Sequence, residues 1–206
     1  MINYIASNWR LIISLTVDHI KLYIIAISLA IMLWMLLGII TAKSEKFQFM
    51  VTIANTLQTM PDLVLLAVAL LAFGLGIPAA LAALFVKGVL PILRNTFSGI
   101  VSIDRNIIEA SRGMGMSERQ ILFQIELPLA AQVILTGIRV SSVMVVSTLT
   151  LSAYIGVSCL GVLIAQGVET FDTDALLTGS ILTALLAILL NYLILTVNKT
   201  LTKGKN

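Results

Sequence analysis

From Leu22 to Ala42 the chain reads LYIIAISLAIMLWMLLGIITA, a run without one charged side chain. A bilayer core about 30 Å thick needs roughly 20 apolar residues in a helix to cross it, and this run supplies them. The pattern recurs. Residues 47–73 are apolar except at Pro61-Asp62, 78–94 except at Lys87 and the terminal Arg94, 127–154 except at Arg139, and 175–197 carry no charge. With the first span taken as 20–42, the sequence predicts five transmembrane helices in one membrane domain over 1–206.

Composition agrees with this reading. Of 206 residues 59% are hydrophobic and 11% charged, with a mean hydropathy of +1.05, whereas a soluble globule carries about 25% charged residues. Such a chain cannot cover a water-facing surface, and an all-α membrane protein is expected. The single Cys159 and the single His19 exclude an intrachain disulfide, a zinc site and a two-His metal pair. No Gly-rich phosphate loop or GxSxG elbow occurs, so neither nucleotide binding, resident cofactor nor covalent catalysis is expected in this chain. The first long apolar run lies beyond Lys21 and no Ala-x-Ala site follows it, so no cleaved signal peptide is expected.

Cations set the direction, because cytoplasmic loops are enriched in Lys and Arg. Lys43 and Lys46 occupy the first connection, Arg94, Arg105, Arg112 and Arg119 the third, and Lys199, Lys203 and Lys205 the tail. The Gly74–Pro78 turn has no cation and the 169–174 connection is acidic. Five spans then place the N-terminus outside and the C-terminus in the cytoplasm, with Arg10 and Lys21 against the rule.

The long connection, about 95–126, is the only extensive polar stretch. Ser102 or Asp104 is placed to cap a short helix, Gly113 and Gly115 to end or bend it, and Ser117 to start another before Pro128 opens the fourth span. A helical pair of this size outside the bilayer reads as a docking element.

Glu109-Ala110-Ser111, then Gly115, then Ile125-x-Leu127-Pro128 resembles the EAA loop of bacterial ABC importer permeases, with Ser111 in place of the usual second Ala. Asn55–Pro61, Pro91–Thr96, Arg112–Met116 and Ala153-Tyr154-Ile155-Gly156 with Leu160-Gly161 resemble the permeases of glycine betaine, carnitine and choline importers. Ser158 and Cys159 stand where that family usually has Gly-Gly. The resemblance implies a type I ABC importer permease fold with a cytoplasmic coupling helix. It also implies that Glu109, Ala110, Ser111, Arg112, Gly115, Met116, Ile125, Leu127 and Pro128 form the ATPase-coupling surface. The implied partners are ATP-binding cassette ATPase subunits holding ATP and Mg, a second permease subunit, identical or paralogous, and an extracytoplasmic substrate-binding protein. The chain itself is then a transport subunit and not an enzyme, moving its solute by alternating access.

Ionisable groups in a hydrocarbon layer need a partner or a wet cavity. Counting outward from the Gly74–Pro78 turn sets Asp62 within one helical turn of Lys87, which predicts an ion pair. The alternatives are that Asp62 faces the translocation path or caps a helix after Pro61. Pro61, Asp62, Arg139 and Tyr154 are the candidate path residues, with Arg139 facing either a subunit interface or the cytoplasmic mouth. Trp34 and Tyr154 offer either aromatic packing or a cation–π surface. Met114 and Met116 suit an apolar groove on the ATPase, His19 an interfacial position, and Cys159 a small apolar site near the outer surface. Competing functions are the same architecture with another small amine or amino acid, an ion-coupled carrier using Asp62, or a membrane scaffold.

Overall fold

The computed structural model describes residues 1–203, and all of their side chains except those of Glu45 and residues 197–203. The side chains of Lys199 and Lys203, and Lys205 entirely, lie outside the described residues. No strand occurs among the described residues. The helices are α1 (Ile2–Lys43), α2 (Phe49–Gln58), α3 (Asp62–Phe73), α4 (Ile77–Lys87), α5 (Val89–Val101), α6 (Arg105–Gly113), α7 (Glu118–Ile121), α8 (Leu127–Leu151), α9 (Gly161–Glu169) and α10 (Thr173–Lys203).

Four helical stretches are long and apolar enough to cross a membrane, and α2 with α3 makes a fifth if that bent pair counts as one span. α2 and α3 meet at 104°. Pro61 causes this: it caps α3 in an extended conformation and has no N–H with which to continue α2. The stretch 47–73 is therefore two short rods and not one. α1 also differs from expectation, beginning at Ile2, so that Asp18, His19 and Lys21 lie inside a helix about 63 Å long. His19 is wholly buried, not interfacial. α5 continues to Val101 because Thr96, Gly99 and Ile100 are buried, and the polar connection is correspondingly shorter.

The core lies where α1, α4, α5 and α8 cross. Ala26, Ala30, Ala79, Ala80, Ala83 and Leu84 are almost fully buried there, their small side chains allowing the close backbone approach typical of membrane helices. α5 and α8 approach most closely at Gly137, where a Cβ would run into the Pro91 carbonyl and lie 2.7 Å from Asn95 Cβ. The outer faces are as apolar as the core. Ile24, Leu29, Met32, Leu33 and Leu36 on α1, and Leu185, Ile188, Leu189 and Leu193 on α10, are all exposed; two such walls on an isolated chain are what contact with lipid requires.

The two ends differ in kind. At one end the Gly74–Ile77 turn is pinned by a hydrogen bond from the Gly76 N–H to the Ile155 carbonyl (3.0 Å), and α9 and the acidic 169–174 connection lie beyond α8's last turn. At the other end α6 and α7 form a polar hairpin beside the end of α1. Gly137→Val forces the α5–α8 crossing apart. It is expected to destabilise the chain by about 1–3 kcal/mol, measured as thermal unfolding in detergent, whereas Gly113→Ala, which meets nothing within 4 Å, leaves the midpoint in place.

Candidate functional site: a coupling hairpin and a buried charge pair

The hairpin is built from local capping. The Asp104 carboxylate accepts from the Asn106 N–H (2.9 Å) and starts α6. α6 ends with the Met116 N–H on the Ser111 carbonyl (3.2 Å) and the Gly115 N–H on the Arg112 carbonyl (2.9 Å). These two bonds make a Schellman ending with Gly115 as its left-handed residue. Its φ of +83° is the reason for glycine here; nothing lies within 4 Å of where a Cβ would sit. Ser117 and Gln120 then form a capping box that opens α7, and a π-helical turn, Leu122–Glu126, leads into α8.

Arg112 Nε donates to Glu118 Oε1 at 2.7 Å, bridging α6 and α7 across the Gly115 turn. The hydrogen bond holds the Glu118 carboxyl below its ordinary range, and the same contact raises the Arg112 guanidinium. Arg112 is thus tied within the hairpin while remaining exposed. Glu109, Ala110, Arg112, Met114 and Gly115 are exposed, and Met116 is partly so. Ser111 is turned inward, 2% exposed, with its hydroxyl on the Ile107 carbonyl. Ile125, Leu127 and Pro128 are half-buried where α8 begins. The outward face of the hairpin is therefore Glu109, Ala110 and the Met114–Gly115 corner.

The second constellation lies at the α2–α3 break. Lys87 Nζ sits 2.5 Å from Asp62 Oδ1, and the Thr148 hydroxyl donates to Asp62 Oδ2 at 2.9 Å. Three helices meet in this contact: Asp62 begins α3, Lys87 ends α4, and Thr148 belongs to α8. Each charge also lies at the helix end whose dipole favours it. Sequence reasoning missed Thr148, because nothing in a run of hydroxyl residues along one helix marks which will turn inward.

The other candidates do not join this cluster. Arg139 is half-buried on α8, about 13 Å along the helix from Thr148, with no ion pair or hydrogen bond among the described residues. Tyr154 is exposed beyond the end of α8, and Pro61 is exposed at the break. Trp34 donates its indole N–H to the Phe85 carbonyl (2.9 Å) and stacks on the Phe85 ring, so it packs α1 on α4. Cys159 is fully buried with its thiol against the Leu149 carbonyl; the tight backbone contact in this segment is made by Gly161 against Thr150. Lys43 and Glu126 were also not singled out from sequence, and the structure brings them into contact.

The architecture is an apolar helical bundle with a capped, outward-facing hairpin between α5 and α8. Solved structures share the fold: the MetNI methionine ABC transporter in an inward-facing form (TM-score 0.84, 18% identity, 95% of this chain and 98% of that one) and an amino acid ABC transporter with histidines (0.74, 16%, 98% and 97%). Residues 34–205 match the binding-protein-dependent transport system inner membrane component family, and the chain belongs to it. Similar proteins include the carnitine transport permease protein OpuCB of Listeria monocytogenes, 35% identical over 93% of this chain and 88% of that protein. The choline transport system permease protein OpuBB of Bacillus subtilis is 32% identical over 98% and 94%.

Lys87→Met strands the Asp62 carboxylate. A loss of about 3–5 kcal/mol is expected, read as detergent unfolding, with most of it recovered in Asp62→Leu/Lys87→Met, where no charge remains. The Arg112–Glu118 link has the opposite setting, in water. Because the Glu118 carboxyl is depressed in the hairpin, the stability it adds is present above the ordinary carboxylate range and is lost as pH falls through the depressed value. Amide protection factors across 105–121, that is, exchange relative to the intrinsic rate at each pH, should accordingly be flat near neutrality and fall only in acid, and Glu118→Gln should remove that pH dependence.

Proposed function

We propose that this chain is the permease of an ATP-driven importer for a small quaternary-ammonium osmoprotectant: glycine betaine, carnitine or choline. The observation that carries the ATP-driven part is the hairpin. Its exposed face, Glu109, Ala110 and Gly115, coincides with the motif by which this family engages an ATPase, and caps and the Arg112–Glu118 bridge tie α6 to α7. The cargo rests on the relatives, which are named for carnitine and choline and span most of this chain.

In this reading a second permease subunit closes the solute path. Two ATPase subunits, which bind ATP and Mg, dock on the Arg105–Gly115 helices, and a binding protein docks at the opposite end near the Gly74–Pro78 turn and the 160–174 segment. The hairpin end, with Lys43, Lys46, Arg105, Arg112 and Arg119, is cytoplasmic by its charge, which leaves the N-terminus outside. The spans are then about 20–42, 47–73, 78–94, 127–154 and 175–197. ATP binding draws the ATPases together, the hairpins follow, and the cavity opens toward the binding protein; hydrolysis reverses the motion. This chain's residues bind and move, and none performs hydrolysis.

The test is uptake of labelled glycine betaine, carnitine and choline into liposomes holding the complete complex, with and without internal ATP. ATP-dependent uptake of one of the three is expected, and Gly115→Val, which strains a left-handed residue by about 1–2 kcal/mol, should abolish it. Uptake that persists without ATP overturns the ATP-driven reading, and ATP hydrolysis coupled to none of the three overturns the cargo.

A further inference from the structure

Lys43 closes α1, and Glu126 closes the π-helical turn between the hairpin and α8. Lys43 Nζ lies 2.6 Å from each Glu126 carboxylate oxygen, and the Glu126 side chain is only 6% exposed. A carboxylate buried this far is held by its cation, and loses its reason to stay if the cation goes. Lys43 is well placed to serve, because the unpaired carbonyls at the end of α1 favour a positive charge there.

The position of the contact matters as much as its strength. A π-helical turn is an irregular joint, frequent at functional sites, and this one is the sole covalent link between α7 and α8. α7, this turn and α8 run as one helical stretch, Glu118–Ile155, so the hairpin is joined to α8 directly through it. The Lys43–Glu126 pair fastens the joint itself to a second helix. From there α1 runs the full depth of the bundle, and its opposite half packs Ile12 and Leu15 against Leu160 and Leu163 at α9 and Leu186 of α10. One helix thus touches the hairpin at one end and the α9 segment at the other.

We propose that Glu126 is a positioning residue which, through Lys43, makes α1 a second output of the coupling hairpin and carries its displacement to α9 at the opposite end. This rests on the importer reading. It assigns α1 a part in the stroke, although the match to the family begins at residue 34 and leaves residues 2–33 of this helix outside it.

The test uses the reconstituted complex of permease, ATPase and binding protein, reading basal hydrolysis, hydrolysis stimulated by the loaded binding protein, and solute imported per ATP. Glu126→Gln and Lys43→Met are each expected to lower the stimulation ratio roughly five- to tenfold, the span of a modest coupling energy, with basal hydrolysis unchanged. Lys43→Glu/Glu126→Lys should recover part of it. Where Glu126→Gln fails to assemble, Lys43→Met/Glu126→Met, which buries no unpaired charge, takes its place and should show the same fall. Single variants with the wild-type ratio, or a swap no better than its parts, overturn the tie alone. A wild-type complex whose ATPase ignores the binding protein overturns the importer reading and the tie with it.

Discussion

The contact between Asp62 and Lys87 closes a geometry that otherwise has no reason to hold. Pro61 breaks one apolar stretch into two helices that meet at 104°, while α4 and α5 pass through Gly88 as one stretch, Ile77–Val101. The break at Pro61 leaves a helix end inside a medium that offers no water to satisfy it. Asp62 starts α3 and Lys87 closes α4, each at the helix end whose dipole favours its charge, and each pairs with the other. Thr148 brings α8 into the same contact, so the bend, the hairpin and the long central helix are fixed at one point.

Much of this was legible in the sequence, and the reasons differ from place to place. The caps at Asp104 and Ser117 and the turn at Gly115 could be read because capping is local, a matter of which side chain reaches the next few amides. The depth match of Asp62 and Lys87 could be read because two helical arms rise equally from one turn. The 104° angle at Pro61 could not: a proline announces a break but not its size, which is set by what α2 packs on, here Ala54 against Val89 and Leu93. The full extent of α1 was missed for a related reason. It depends on neighbours far away in sequence, Leu160, Leu163 and Leu186 beside Ile12 and Leu15, and the charges at Asp18 and Lys21 look like an end when they are only a polar stripe on a longer helix.

The coupling site shows the same division. Its motif identifies the segment, but which residues face outward follows from the hairpin's own bonds: Arg112 to Glu118 across the turn, and Ser111 to Ile107 within α6. At the corner, an acid, an alanine, a methionine and a glycine (Glu109, Ala110, Met114 and Gly115) are exposed. Arg112 and Glu118, though exposed as well, are paired with each other.

The short α3–α4 hairpin also constrains how the chain is made. α3, of 12 residues, is too short to cross a bilayer of about 30 Å on its own, whereas α4 runs on with α5 as one 25-residue stretch, Ile77–Val101. Asp62 leaves the ribosome well before Lys87, and its charge has no partner until α4 follows. The cost of placing Asp62 in hydrocarbon is relieved only when α4 brings Lys87 to the same depth. The order of synthesis makes Lys87 the residue on which the topology of the second span waits.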